Sequence, residues 1–185
     1  MVKNKSVGQI IGIYFQVIFI FLIVFVILYF FLGQLYEVIG DSMYPNFYDN
    51  EQLIAEKLSA RFENLERGDV IIFKRPGNEN KLLIKRLIGI PGEKILLRDG
   101  YVYINGEYLH EPYVSEDILT EGMRILESGF EYTVPSDSYM VMGDNREKST
   151  DSREWGFVKN ENIIGRAILV YYPLKNIRFI KGIEY

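Results

Sequence analysis

Three segments carry residue types that could do chemistry together. Gly40-Asp41-Ser42-Met43-Tyr44-Pro45 sets a serine between a glycine that permits unusual backbone and a proline that fixes the exit, so the Ser42 hydroxyl could be held exposed. Most serines in Gly/Pro turns only shape the turn. Ser42 becomes a nucleophile only if a base stands beside it. Leu82-Leu83-Ile84-Lys85-Arg86-Leu87-Ile88 offers one, a lysine set among apolar residues. On a strand of period two, Lys85 shares a face with Leu83 and Leu87, while Ile84, Arg86 and Ile88 point the other way. If the Leu83 face is interior, burial disfavours the ammonium. An amine whose pKa falls from about 10.4 toward neutrality can take a proton from a serine hydroxyl. The alternative is a lysine whose stem lies on apolar surface while its ammonium reaches water or a carboxylate.

The third segment, Gly143-Asp144-Asn145-Arg146-Glu147-Lys148-Ser149-Thr150-Asp151-Ser152-Arg153-Glu154-Trp155-Gly156, is densely polar between two apolar runs. Its acidic spacing lacks the alternation and terminal Glu of an EF-hand calcium loop. That leaves a solvated surface loop or a polar network supporting a site. His110 invites a Ser-His-Asp arrangement with Ser42, but it ends a hairpin in Tyr108-Leu109-His110-Glu111-Pro112, where a turn or surface role is expected. With no cysteine and one histidine, disulfides, thiolate chemistry and His-cluster metal sites are excluded. The net charge of -4 and the scattered Lys and Arg argue against a nucleic-acid partner.

The elements that must position these residues begin with a charge-free run from Ser6 to Tyr36. Ile10 to Leu32 would reach roughly 34 Å as a helix, enough for a hydrocarbon core of about 30 Å. The run is too long for a signal-peptide h-region, and no small-x-small site follows Phe31-Leu32-Gly33, so a retained transmembrane helix is expected over 10–33. Lys3 and Lys5 precede it, whereas Glu37, Asp41, Asp49 and Glu51 follow. The residue 1–9 tail is therefore expected in the cytoplasm and the rest outside the cell membrane. Beyond the anchor, apolar runs predict strands at 52–55, 70–73, 82–88, 94–97, 130–134, 139–142 and 163–172. Asp99-Gly100 and Asn105-Gly106 predict tight hairpins in a meander from Lys94 to Leu109. The more turn-rich 97–138 reads as an insertion in a core made of 38–96 and 139–185. Trp155 and Phe157 are expected either in the core or against the bilayer.

The segments taken together resemble the type I signal peptidases, membrane-anchored Ser/Lys endopeptidases that remove signal peptides from exported proteins, in their minimal Gram-positive-like form. Gly40 to Pro45 looks like the nucleophile box and Ile84-Lys85-Arg86-Leu87-Ile88-Gly89-Ile90-Pro91-Gly92 like the lysine box. Arg67-Gly68-Asp69-Val70-Ile71-Ile72-Phe73 is similar to a structural strand of the family. Gly143-Asp144-Asn145-Arg146 with Ser149-x-Asp151-Ser152-Arg153 is similar to its last box. The resemblance implies a mainly β fold: an N-terminal transmembrane helix, an antiparallel β core and a small inserted β sub-domain. It implies Ser42 as nucleophile, Lys85 as general base, Ser149 orienting the amine, and Asp151 with Arg153 as a supporting ion pair. Met43, Phe47 and Ile84 would line a pocket for the small residues of an Ala-x-Ala-like substrate. Some members use a serine hydroxyl two residues before the nucleophile to stabilise the oxyanion; Gly40 stands there, which leaves the Ser42 N–H.

The resemblance implies no cofactor and no metal. The expected partners are preproteins bearing signal peptides, pilin precursors among the candidates, together with membrane lipid. A second reading is a non-catalytic, membrane-anchored relative that binds exported subunits during surface-fibre assembly. A third, weaker one is a self-cleaving Ser/Lys regulator, which the anchor and the lack of a DNA-binding domain disfavour.

Overall fold

The computed structural model describes residues 7–32, 34–61, 65–115 and 117–183. Gly33 and residues 1–6 of the expected 1–9 tail lie outside the described residues, whereas 7–9 are already helical. A helix, α1 (Val7–Leu32), is followed after one residue by strand β1 (Gln34–Glu37). Within α1 the side chains described from Ile10 to Phe25 are all exposed. Among the described residues no helix is long and apolar enough to cross a membrane.

The chain continues through β2 (Gln52–Glu56), the single turn α2 (Leu58–Arg61), β3 (Val70–Arg75) and β4 (Asn78–Gly89). Next come β5 (Lys94–Arg98), β6 (Tyr101–Ile104), β7 (Glu107–Tyr108), β8 (Glu131–Thr133) and β9 (Ser138–Met142). The short helix α3 (Ser152–Trp155), β10 (Val158–Lys159), β11 (Ile163–Tyr172) and β12 (Arg178–Phe179) complete it. The larger sheet has the order β1-β2-β11-β3-β4-β9-β10, with β12 on β11, and the smaller one has the order β7-β6-β5-β8. Every described pairing is antiparallel.

The two predicted hairpins form as their residues demand: Asp99 and Gly100, then Asn105 and Gly106, all take positive φ. The smaller sheet starts earlier than expected. Lys94–Arg98 pairs with β6 and β8, so 94–96 leaves the 38–96 segment and joins the second sheet. There Ile95 and Leu97 pack with Val102 and Ile104 of the neighbouring strand. Ile88, Met140 and Met142 of β4 and β9 join that same cluster and weld the sheets together.

Strand β3 explains why its sequence is continuously apolar. Val70 and Ile72 face one cluster with Val38, Met43, Phe47 and Leu53, while Ile71 and Phe73 face another with Leu87, Val141 and Val158. Both faces are covered, so alternation disappears. Strand β4 behaves likewise: Leu83 and Leu87 pack on the second cluster, Ile84 on the first. A lysine at 85 is thereby drawn inside. Trp155 packs on Phe73 with ring centroids 5.8 Å apart, and Phe157 packs against the cluster shared by the two sheets. Both therefore belong to the core side of the two expectations.

Candidate active site

The loop between β1 and β2 holds Ser42 by its flanks. Val38 N–H donates to Glu51 O and Asn50 N–H to Val38 O, closing the loop at its base (2.8 and 2.9 Å). Gly40 has φ +83°, a left-handed conformation that a side chain would strain, and its N–H donates to Asp49 Oδ1 at 2.6 Å. Met43 and Phe47 then sink into the core, 0% and 3% exposed, and peg the turn from below. Ser42, lying between, stays half-buried.

Lys85 reaches it from β4. Its Nζ lies 2.6 Å from Ser42 Oγ and 2.9 Å from Ile84 O, to which it donates. As an ammonium, Nζ donates to the serine as well; as a neutral amine its lone pair accepts the serine proton. Burial is the main force on this group and lowers its pKa to about 8. Asp151 and Asp144 oppose that shift, whereas the charges of Lys81 and Arg153 add to it.

The third element is the loop after β9. Asn145 donates from its backbone N–H to Ser42 O and from Nδ2 to Asp41 O, each at 3.1 Å, clamping the two carbonyls around the serine. Gly143 permits that approach: a Cβ there would stand 2.4 Å from Ser42 O and 2.3 Å from Ser149 Oγ. Asp151 Oδ2 accepts from Gly143 N–H at 3.0 Å, and Oδ1 caps α3 by accepting from Arg153 N–H. The expected Asp151–Arg153 pair is present at 2.9 Å, both side chains almost wholly buried. Burial alone would raise the Asp151 carboxyl, but Arg153, the Gly143 N–H and the Ser149 hydroxyl outweigh it and hold the carboxyl below its usual range.

Ser149 is the exception among the expected supports. Its Oγ is buried and has no hydrogen-bond partner of acceptable geometry, neither Lys85 nor Asp151. The hydroxyl is nonetheless among the groups that lower the Asp151 carboxyl. Lys148, beside it, projects to solvent.

The dense polarity of this loop is accounted for by buried pairs that sequence reasoning did not assign. Arg86 grips Asp144 through two bonds (2.8 and 2.6 Å), and Arg146 binds Glu111 (2.5 and 2.9 Å) and Thr120. Arg86 also lies over the Tyr113 ring, 4.2 Å from its centroid. The clue to the first pair was available: Arg86 alternates with Lys85 on a strand buried on both faces, so it needed a buried anion.

An apolar cleft of about 300 Å³ opens beside Ser42 and Lys85, walled by Leu35 of β1, Ile39 just after it, Leu53 of β2, Ile72 of β3, and Leu82 and Ile84 of β4. Ile84 is thus where the small-residue pocket was expected. Met43 and Phe47 are buried in one apolar cluster with Leu53, Ile72 and Ile84, which line the cleft, and Phe47 lies under the Arg178 guanidinium at 5.2 Å. The turn at 43–47, closed by Phe47 N–H donating to Met43 O, directs both side chains inward and anchors the serine loop. His110 is exposed and borders a separate hollow with Tyr101 and Tyr108 that shares no lining residue with the cleft beside Ser42. Among the described residues no group of three or more His, Cys, Asp or Glu could hold a metal ion. The Ser42 N–H donates to no protein group among the described residues, while that of Gly40 is taken by Asp49.

A serine touching a desolvated amine, on a mainly antiparallel β frame, defines a class of Ser/Lys hydrolytic site. Comparison with known proteins gives the particular family. The family described as "Signal peptidase, peptidase S26" matches residues 11–172. A probable signal peptidase I-2 from Synechocystis sp. is 35% identical over 155 residues, covering 80% of this chain and 66% of that protein. Signal peptidase I U from Bacillus subtilis is 38% identical over 148 residues, 77% of each. A crystal structure of a signal peptidase I from Enterococcus faecalis is 38% identical, with a TM-score of 0.47, covering 55% of this chain and 95% of that one. The chain spans just under two thirds of the Synechocystis relative and somewhat more of the Bacillus one. It belongs to the signal peptidase, peptidase S26, family.

Proposed function

We propose that the protein is a membrane-anchored serine endopeptidase that removes signal peptides from exported preproteins, with Ser42 as nucleophile and Lys85 as general base. The observation that carries this is the 2.6 Å contact between Ser42 Oγ and a buried Lys85 Nζ at the wall of an apolar cleft. Neutral Nζ takes the hydroxyl proton as Oγ attacks the scissile carbonyl carbon. The resulting ammonium returns that proton to the departing amine, leaving an ester on Ser42. Water then attacks the ester, Nζ again takes a proton, and Oγ leaves carrying it, which restores the pair and frees the acid. The Ser42 N–H is the donor for the oxyanion, since Gly40 has no side chain and its N–H is occupied. Asn145 holds the serine loop in place. Asp151 with Arg153 fixes the neighbouring loop.

The helix α1 serves as the anchor. Its 26 residues would extend about 39 Å, and none carries a charge. Lys3 and Lys5 keep the N-terminus cytoplasmic and the β portion outside the membrane. Residues 94–133 make up a sub-domain inserted in the core. Small residues before the scissile bond fit a cleft narrowed by Ile39 and Ile84; pilin precursors are one class of preprotein to try. A purely scaffolding role has no use for the serine–amine contact. Comparing N-termini of exported proteins by mass spectrometry, with and without the enzyme, tests the function. Uncleaved signal peptides in its absence are expected; identical N-termini would refute it.

A further inference from the structure

Of the residues lining the cleft beside Ser42, only Glu37 and Lys85 carry a charge. Lys85 is accounted for by the chemistry; Glu37 is not. Strand β1 lies at the edge of the larger sheet, paired on one side with β2. Its alternation is plain. Tyr36 and Val38 turn toward the core, while Leu35, Glu37 and Ile39 stand on the opposite face, with Leu35 and Ile39 67% and 83% exposed. Among the described residues no hydrogen bond or ion pair engages the Glu37 carboxylate. Tyr36, Leu53, Ile72 and Ile84 line the cleft from the core-facing side, so Glu37 stands at its rim: a lone exposed acid on the outer face of the edge strand, flanked there by two exposed aliphatic side chains.

Resting on the endopeptidase reading above, we propose that Glu37 is a specificity residue that selects a lysine or arginine at one position of the substrate near its scissile bond and rejects an acid there. The stem of such a side chain would lie on Leu35 and Ile39 while its cation meets the carboxylate. A peptide extended along β1 presents alternate side chains to that face, so one position reads the charge and its immediate neighbours do not. Rejection matters as much as attraction, because an acidic side chain lying on Leu35 and Ile39 would meet a like charge. The residue acts separately from the reacting pair: the charges that set the Lys85 titration belong to Asp151, Asp144, Lys81 and Arg153.

The test uses the full chain in detergent micelles and preprotein peptides that carry Gln, Lys or Glu singly at each position from six before to three after the scissile bond. The readout is the Lys-to-Glu ratio of kcat/KM at low salt. One position is expected to favour Lys by roughly three- to tenfold, the range of an exposed ion pair plus its repulsive counterpart. That ratio should fall to near one in Glu37→Gln, invert in Glu37→Lys and shrink as salt is raised. An unchanged ratio in Glu37→Gln, or no position with a charge preference, would overturn the proposal while leaving the endopeptidase reading intact. Failure of the wild type to cleave the Gln peptides would overturn that reading, and the proposal with it.

Discussion

The pH dependence of cleavage, and its response to a charge some distance away, follows from the burial of Lys85. With a pKa of about 8, roughly one amine in eleven is neutral at pH 7, against about one in 3,000 for an ordinary lysine. Desolvation therefore raises the population of active base by about 300-fold. The rate under kcat/KM conditions should climb about tenfold per pH unit below 8 and level off above it. Lys81 is the perturbation that tests the cause, since its charge is one of those that lower the pKa of Lys85. It is exposed on β4, four residues earlier, which at about 3.3 Å per residue puts the two Cα atoms roughly 13 Å apart. At effective dielectric constants between about 20 and 80, that separation corresponds to about 0.3 to 1.3 kcal/mol, or roughly 0.2 to 0.9 pH unit before screening. Lys81→Gln should accordingly move the midpoint upward by a few tenths of a unit at low salt, and salt should erase the difference. The assay is initial-rate cleavage of a preprotein from pH 6 to 10. A midpoint near 6.5, or a rise continuing past 10, would refute a desolvated amine as the base. A downward shift in Lys81→Gln would refute the electrostatic account of its tuning.

Four other outcomes are expected. The Lys85 amine is depressed relative to the unfolded chain, so the unfolded state binds more protons between about pH 8 and 10.5; stability should rise with pH across that window, recovering about 3 kcal/mol, as denaturant unfolding can measure. Asp144→Asn leaves Arg86 buried opposite a neutral amide and should cost about 3–5 kcal/mol, a thermal midpoint lower by roughly 6–20 °C, seen by calorimetry. Asn145→Ala keeps the backbone bond to Ser42 O but loses the one to Asp41 O; kcat should fall roughly tenfold with KM and the pH midpoint little changed, in steady-state kinetics. His110→Ala should cleave as the wild type does, since His110 is exposed and borders a different hollow; loss of cleavage in a folded His110→Ala protein would reopen the histidine as base.

Much of the frame was legible because local chemistry and tertiary demand agreed. Asn105-Gly106 is a tight turn both as a dipeptide and in the fold, and the apolar run 163–172 is a strand over its whole length. Short pairings were not legible: β1, β10 and β12 have two to four residues each and owe their form to neighbours distant in sequence. For the same reason Arg86, Asp144, Arg146 and Glu111 could be suspected of needing partners but not matched to them. The pairs join residues 58 and 35 positions apart. Ser42 and Lys85, 43 residues apart, were matched only through the resemblance; alternation placed the lysine inside but could not say which serine it would meet. Met43 and Phe47 carry a second role that the sequence did not show. Position next to a nucleophile suggested a pocket lining; that the turn also buries both side chains to anchor the serine loop depends on contacts with Val38, Leu53 and Val70.

The account stands on Ser42 and Lys85 acting as one unit, and preprotein cleavage by the full chain carrying Ser42→Ala or Lys85→Arg tests that most directly. Both variants should be inactive within detection while the wild type cleaves, Ser42→Ala for want of a nucleophile and Lys85→Arg because a guanidinium does not release its proton near neutral pH. Processing by either variant at a rate comparable to the wild type would contradict the mechanism.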